Sequence, residues 1–155
     1  MAELQQLDRT YHFILETFVE RGRGPHFTEI ARHFTVSPEA GRRMLHDLMG
    51  LGLPNFLFPG TDLIAGFAPF SNLPTHYRVT VDGQQKWFAE CGFEAPAVCW
   101  LFPGKTIQID APCLDCGEPL RLAVRDGVIE SQEPAGIYSY VDLPWREWKR
   151  NWAYA

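Results

Sequence analysis

A thiol followed three residues later by a carboxylic acid, Cys91-Gly92-Phe93-Glu94, is the pair in this 155-residue chain best suited to chemistry. If the string starts a helix, the two groups share one face with about 5–6 Å between Cβ atoms, and a soft nucleophile and a proton donor address one bound atom. A helix start would also lower the pKa of the thiol. A second pair, Cys113-Leu114-Asp115-Cys116-Gly117, has the spacing at which two thiolates wrap a tetrahedral zinc ion. A closed structural zinc site needs two more ligands. No histidine follows His76, so Cys91 and Cys99 would have to complete it, at spacings unlike a pair of knuckles. A redox role for Cys113 and Cys116 lacks the βα context of a thioredoxin-like pair. Simpler readings stand beside these: Cys91, Cys99 and Cys113 as small buried residues, and Glu94 as a solvated first-turn acid.

The elements that must position these groups fall into two halves. Leu7, Tyr11, Ile14, Leu15 and Phe18 recur at helical spacing and predict an amphipathic helix ending near Gly22-Arg23-Gly24-Pro25. Thr28 is placed to cap a short second helix carrying Ile30, Ala31 and Phe34. Ser37-Pro38 supplies a capping hydroxyl and a first-turn proline for a third helix, which buries Met44, Leu45 and Leu48. Three helices, with strands expected over 62–68 and 76–81 as a wing, resemble a winged helix-turn-helix. The prolines and glycines of 54–74 mark a turn-rich connector. Beyond it, the alternation at 76–81 and the Asp82-Gly83 turn deliver Lys86-Trp87-Phe88-Ala89-Glu90 into Cys91. Further strands are expected over 105–110, 120–124 and 137–141. Trp145, Trp148 and Trp152 recur at helical spacing and predict a packing face. The fold class is therefore α+β: a winged-helix-like three-helix domain (1–70) packed on a small, mainly antiparallel cysteine domain (71–155).

Composition narrows the function classes. Hydrophobic residues make up 46% of the chain and aromatic ones 14%, enough to bury a core. No apolar run approaches the ~20 residues of a membrane span, and the amino terminus has no signal-peptide pattern, so cytoplasmic residence without a membrane partner is expected. Free thiols, metal ligands or catalytic groups are then favoured over disulfides. A net charge of −5 argues against a polyanionic partner. In residues 1–53, six arginines face seven acidic residues, so Arg32, Arg42, Arg43 and His46 read as a solvated face in preference to a DNA-reading one.

Several short blocks resemble the alkylmercury lyase (organomercurial lyase) family. Trp87-Phe88-Ala89-Glu90-Cys91-Gly92-Phe93-Glu94-Ala95 looks like that family's approach to a Cys-x-x-Asp catalytic element. Leu101-Phe102-Pro103-Gly104-Lys105-Thr106, Cys113 and Glu133-Pro134-Ala135-Gly136 follow in the family's order. A helix-turn-helix front packed on a catalytic half is also the family's layout. The resemblance implies that Cys91 holds mercury transiently as a thiolate, and that Glu94 shuttles the proton where the family has aspartate. The carbon–mercury bond of a small organometallic substrate would then break by protonation of carbon, with a small-molecule thiol as partner and no cofactor required. The family's second catalytic cysteine, counted forward from Leu143-Pro144, falls at about Ala155 or just past it, and within the chain only Cys99, Cys113 or Cys116 can supply another thiolate. The runner-up function is a non-catalytic module, either binding zinc or mercury through the cysteine cluster or acting as a helix-turn-helix regulator. The sequence leaves the oligomeric state open.

Overall fold

The computed structural model describes residues 2–140 together with Pro144 and Glu147. The expected strand over 137–141 therefore reaches into undescribed residues at Val141, and the tryptophan face of Trp145, Trp148 and Trp152 lies outside the described residues. Helix α1 (Ala2–Arg21) sinks Ile14 and Phe18 into the core. Its buried Thr10 and Thr17 satisfy their hydroxyls on the carbonyls of Gln6 and Phe13, each at 2.8 Å. The helix stops where expected. Gly22 takes φ 72°, its N–H donates to the Phe18 carbonyl at 2.8 Å, and a Cβ there would lie 2.6 Å from Lys86 Cγ.

Helix α2 (Phe27–Phe34) is capped by His26, not by Thr28. The His26 ring accepts from the Thr28 N–H while Glu29 reaches back to the His26 N–H at 2.9 Å, a capping box in which imidazole takes the place of the usual hydroxyl. Thr28 serves this box as a partner of the ring, its hydroxyl 2.7 Å from Nδ1. Helix α3 (Pro38–Met49) starts on Ser37 as the sequence predicts and buries Leu45 and Leu48, with Met44 packed at the core's margin. Its Gly41 lets α2 approach: a Cβ there would lie 2.6 Å from the Phe27 carbonyl oxygen.

Eight antiparallel strands form one sheet in the order β1-β2-β3-β5-β4-β6-β7-β8. They are β1 (Asn55–Leu57), β2 (Ile64–Phe67), β3 (Phe70–Ser71), β4 (Arg78–Val81), β5 (Gln84–Ala89), β6 (Ile107–Pro112), β7 (Pro119–Arg125) and β8 (Val128–Glu133). Two expectations are corrected here. The 54–74 segment is not only a connector, because three short strands fit between its prolines; β2 pairs with β1 and β3, while the strand at 76–81 pairs with β5 and β6. The strand expected from residue 137 is absent over 137–140, and β8 closes that edge of the sheet instead. Its residues are exposed on both faces, so it lacks the apolar alternation that marks a buried strand. The Asp82-Gly83 turn is as expected, with both residues at positive φ (50° and 76°), the backbone that a two-residue hairpin favours.

The sheet crosses the expected 70/71 boundary, since β3 spans it. Strand β5 is also tied to the amino-terminal half: Trp87 Nε1 donates to the Phe18 carbonyl at 2.7 Å and Lys86 Nζ to the Glu20 carbonyl at 2.6 Å. Trp87 packs edge-on against Phe102 at 4.9 Å. The core runs from Ile14, Phe18, Leu45 and Leu48 through Phe67, Phe70 and Trp87 to Val98 and Ile107. Among the described residues no helix is long and apolar enough to cross a membrane.

Candidate active site

Strand β5 ends at Ala89, and the chain then bends through Glu90 and Cys91 into a four-residue helix, α4 (Glu94–Ala97), which runs on as a 3₁₀ turn (Val98–Leu101). The Ala95 N–H donates to the Cys91 carbonyl at 3.0 Å. Cys91 therefore precedes the helix instead of lying on it, yet the bend still brings it to Glu94 as the sequence predicts. The side chains of Cys91 and Glu94 are hydrogen-bonded, and the backbone N–H groups of Phe93 and Glu94 point at the Cys91 sulfur.

A third group joins them that the sequence reading passed over. The Glu90 carboxyl hydrogen-bonds to Glu94. Space for it comes from β2, where Gly66 has no side chain: a Cβ there would collide with Glu90 Oε1 and sit 2.6 Å from the Phe56 ring. Glu90 Oε1 itself is buried without a hydrogen-bond partner. The signal was present in the string Glu90-Cys91-x-x-Glu94, two acids flanking one thiol.

Burial sets the charge state of this array. Desolvation, then the charge of Glu94, raises the Glu90 carboxyl to about 9, and desolvation also raises Glu94 against the hydrogen bonds it receives from Cys91 and Glu90. Desolvation, then the Glu94 charge, raises the Cys91 thiol to about 11. The expected lowering by a helix start is thus overturned. Cys91 is only 8% exposed, faces a carboxylate, and adjoins a helix of four residues whose two N–H groups oppose these effects without matching them. Of the two acids Glu90 is held neutral, and Glu94 is the group on which the Glu90 and Cys91 hydrogen bonds converge.

Two tyrosines border the array. Tyr11 arrives from α1, and its hydroxyl is raised by desolvation and then by the charges of Glu94 and Glu90. Tyr77 lies beside Cys91 and accepts the Gly92 N–H; desolvation and then the Cys91 charge raise it. A cavity of about 500 Å³ opens beside Tyr77, lined among others by Gly92, Pro96, Cys113, Leu122 and Tyr138. A cavity of about 530 Å³ near Trp87 and Lys105 has no thiol in its wall.

The remaining cysteines separate. Cys99 is buried in the core. Cys113 and Cys116 sit on the β6–β7 turn, closed by the Cys113 N–H on the Glu118 carbonyl at 2.7 Å and the Gly117 N–H on the Cys113 carbonyl at 2.9 Å. The N–H groups of Cys116 and Asp115, together with the Cys116 thiol, lower the Cys113 pKa. Among the described residues no group of three or more His, Cys, Asp or Glu side chains is arranged to hold a metal ion, so the four cysteines do not converge as a zinc site requires.

A three-helix front on an antiparallel sheet, with a buried thiol held against an acid pair, defines a thiol–carboxylate protein of mixed helix and sheet. The alkylmercury lyase (MerB) family model matches residues 70–154, and the chain belongs to that family. Alkylmercury lyases of Bacillus cereus and Clostridium butyricum are each 38% identical to it over 66 residues, 41% of this chain and 28% of theirs. The matched stretch thus spans little more than a quarter of the length of these curated relatives. The fold is similar to that of the mercury-bound form of MerB2, with a TM-score of 0.60 at 18% identity over 84% of this chain and 68% of that one.

Proposed function

We propose that the chain cleaves carbon–mercury bonds of small organomercurials by protonolysis, with Cys91 as the mercury ligand and Glu94 as the proton shuttle. The observation that carries this reading is the hydrogen-bonded array Glu90–Glu94–Cys91. As the Cys91 sulfur bonds mercury, its proton passes to the Glu94 carboxylate and the thiolate that accompanied the organomercurial leaves. Glu94 then gives the proton to carbon, the carbon–mercury bond breaks, and the hydrocarbon departs with the former thiol hydrogen. Mercury(II) remains on Cys91 with a small-molecule thiolate as its second ligand, and a further thiolate displaces Cys91 to carry the ion away. The raised thiol suits this sequence, because the soft ion displaces a proton that has an acceptor already in contact with it. Glu90, neutral and hydrogen-bonded to Glu94, aims that carboxylate without itself being consumed.

The amino-terminal half serves the same reading. Helices α1–α3 with the β1–β2 hairpin form a winged-helix-like unit whose task is to hold β5 and supply Tyr11, in preference to reading DNA. Arg42 and His46, two of its four candidate DNA contacts, are engaged by Asp62 at 2.8 and 2.6 Å. The test is incubation with an arylmercurial and excess monothiol at neutral pH, following arene by gas chromatography. Arene should appear with the native chain and vanish with Glu94→Gln, while mercury binding survives. A native chain that binds the arylmercurial and releases no arene over many hours ends the proposal.

A further inference from the structure

The cleavage chemistry leaves the thiol pair on the β6–β7 turn unused. Cys113 lines the 500 Å³ cavity whose wall also holds Gly92 and Tyr77, the residues beside Cys91. Its sulfur receives the N–H groups of Asp115 and Cys116 and is hydrogen-bonded to the Cys116 thiol. Cys116 is exposed at the surface. The pair thus borders, on one side, the cavity that reaches the neighbours of Cys91 and, on the other, solvent. Its two sulfurs are joined by no third ligand among the described residues, and that count selects the ion. Zinc asks for four ligands, whereas mercury(II) is soft and satisfied by two thiolates.

We infer that Cys113 and Cys116 form a second mercury(II) site, which takes the ion from Cys91 by way of the cavity beside Gly92 and Tyr77, holds it against monothiols and yields it to an external dithiol. The site stands on its own geometry; only the source of its ion rests on the proposed cleavage. Transfer is ligand exchange without oxidation or reduction. The Cys113 thiolate bonds mercury as the Cys91–mercury bond breaks, and Cys116 bonds in turn, its proton leaving with the small-molecule thiolate it displaces. Cys91 leaves as a thiolate and recovers a proton from solvent.

The first arm uses mercuric chloride alone, which separates it from cleavage. Cys91→Ser protein, loaded and then dialysed against excess monothiol, should retain one mercury(II) per chain by native mass spectrometry, and adding Cys116→Ser should abolish retention. Cys91→Ala repeats the measurement should a buried serine unfold the chain. No retention in either variant, or retention indifferent to Cys116, overturns the site. Zinc chloride in place of mercury should leave no ion after dialysis, and stoichiometric zinc overturns the two-thiolate assignment. The second arm loads native protein with an arylmercurial, confirms arene release, and locates mercury by digestion and mass spectrometry. Mercury bridging Cys113 and Cys116 is expected, and mercury still on Cys91 overturns the relay. Absence of arene condemns the cleavage reading, while the mercuric chloride arm still decides the site.

Discussion

Two thiol regions of one molecule lie on opposite sides of a neutral cysteine. Cys91 is buried against carboxylates, and its pKa is driven up to about 11; Cys113, on an open turn whose N–H groups face its sulfur, is driven down. Both sulfurs receive two backbone N–H groups, so those donors do not account for the difference. Desolvation and a facing negative charge do. A buried thiol can thus be kept protonated until a ligand soft enough to displace the proton arrives, while a half-buried one on a turn that donates to it is ready for any electrophile.

The largest expected effect breaks the buried region. Cys91→Ser should abolish arene release, and Glu94→Gln should lower it by roughly 10²–10⁴-fold, the usual worth of a positioned acid, with mercury retained. Equal loss of mercury binding in Glu94→Gln would show that the carboxylate is a ligand and not a proton carrier. Next comes the contrast between the thiols. At neutral pH iodoacetamide should alkylate Cys113 at least about 100-fold faster than Cys91, since each pKa unit changes the thiolate fraction tenfold and Cys91 stands at about 11 while Cys113 lies below 9.0. Peptide mass spectrometry with Cys91 labelled first would reverse the comparison.

A third prediction concerns Glu90. Its folded-state pKa of about 9 exceeds the ordinary 4.5, so between those values the native chain holds a proton that the unfolded chain releases. Stability is therefore undiminished below about pH 4.5 and falls as pH rises towards 9. Glu90→Gln should remove this slope, and its advantage over the native chain in urea denaturation should widen between pH 5 and 8, on the order of a few kcal/mol. Parallel stability curves would place Glu90 in water. Gly66→Ala should act on the same carboxyl from outside, costing about 1–3 kcal/mol through overpacking and slowing arene release. A variant as stable and active as the native chain would mean that Glu90 can leave its slot freely. The smallest effect is Trp87→Phe, which deletes the bond to the Phe18 carbonyl and should cost about 1 kcal/mol in thermal unfolding, the net worth of one hydrogen bond.

The sequence discloses what is local. Ser37-Pro38 begins a helix, Asp82-Gly83 turns a hairpin, and Cys91 meets Glu94 because all three are decided within a few residues. Tertiary events were not legible. Glu90 becomes part of the site because a glycine on another strand vacates space for it, and Tyr11 because α1 packs that ring against Phe67 of β2. His26 replaces Thr28 as a cap because a ring nitrogen can do a hydroxyl's work, which residue-type preference does not foresee. Strand β8 escaped notice because an edge exposed on both faces carries no periodic pattern, and the direction of the Cys91 shift because burial cannot be counted from spacing.

The bonds from Trp87 and Lys86 back to Phe18 and Glu20 span 69 and 66 residues. During synthesis the carboxyl-terminal end of α1 is therefore made long before its partners emerge, and its last carbonyls must wait in water until β5 leaves the ribosome. Closing so long a loop is slow relative to helix formation. The order of birth is thus helices first and the bend at Cys91 after them, and the strand that leads into Cys91 reaches α1 when that helix is already made.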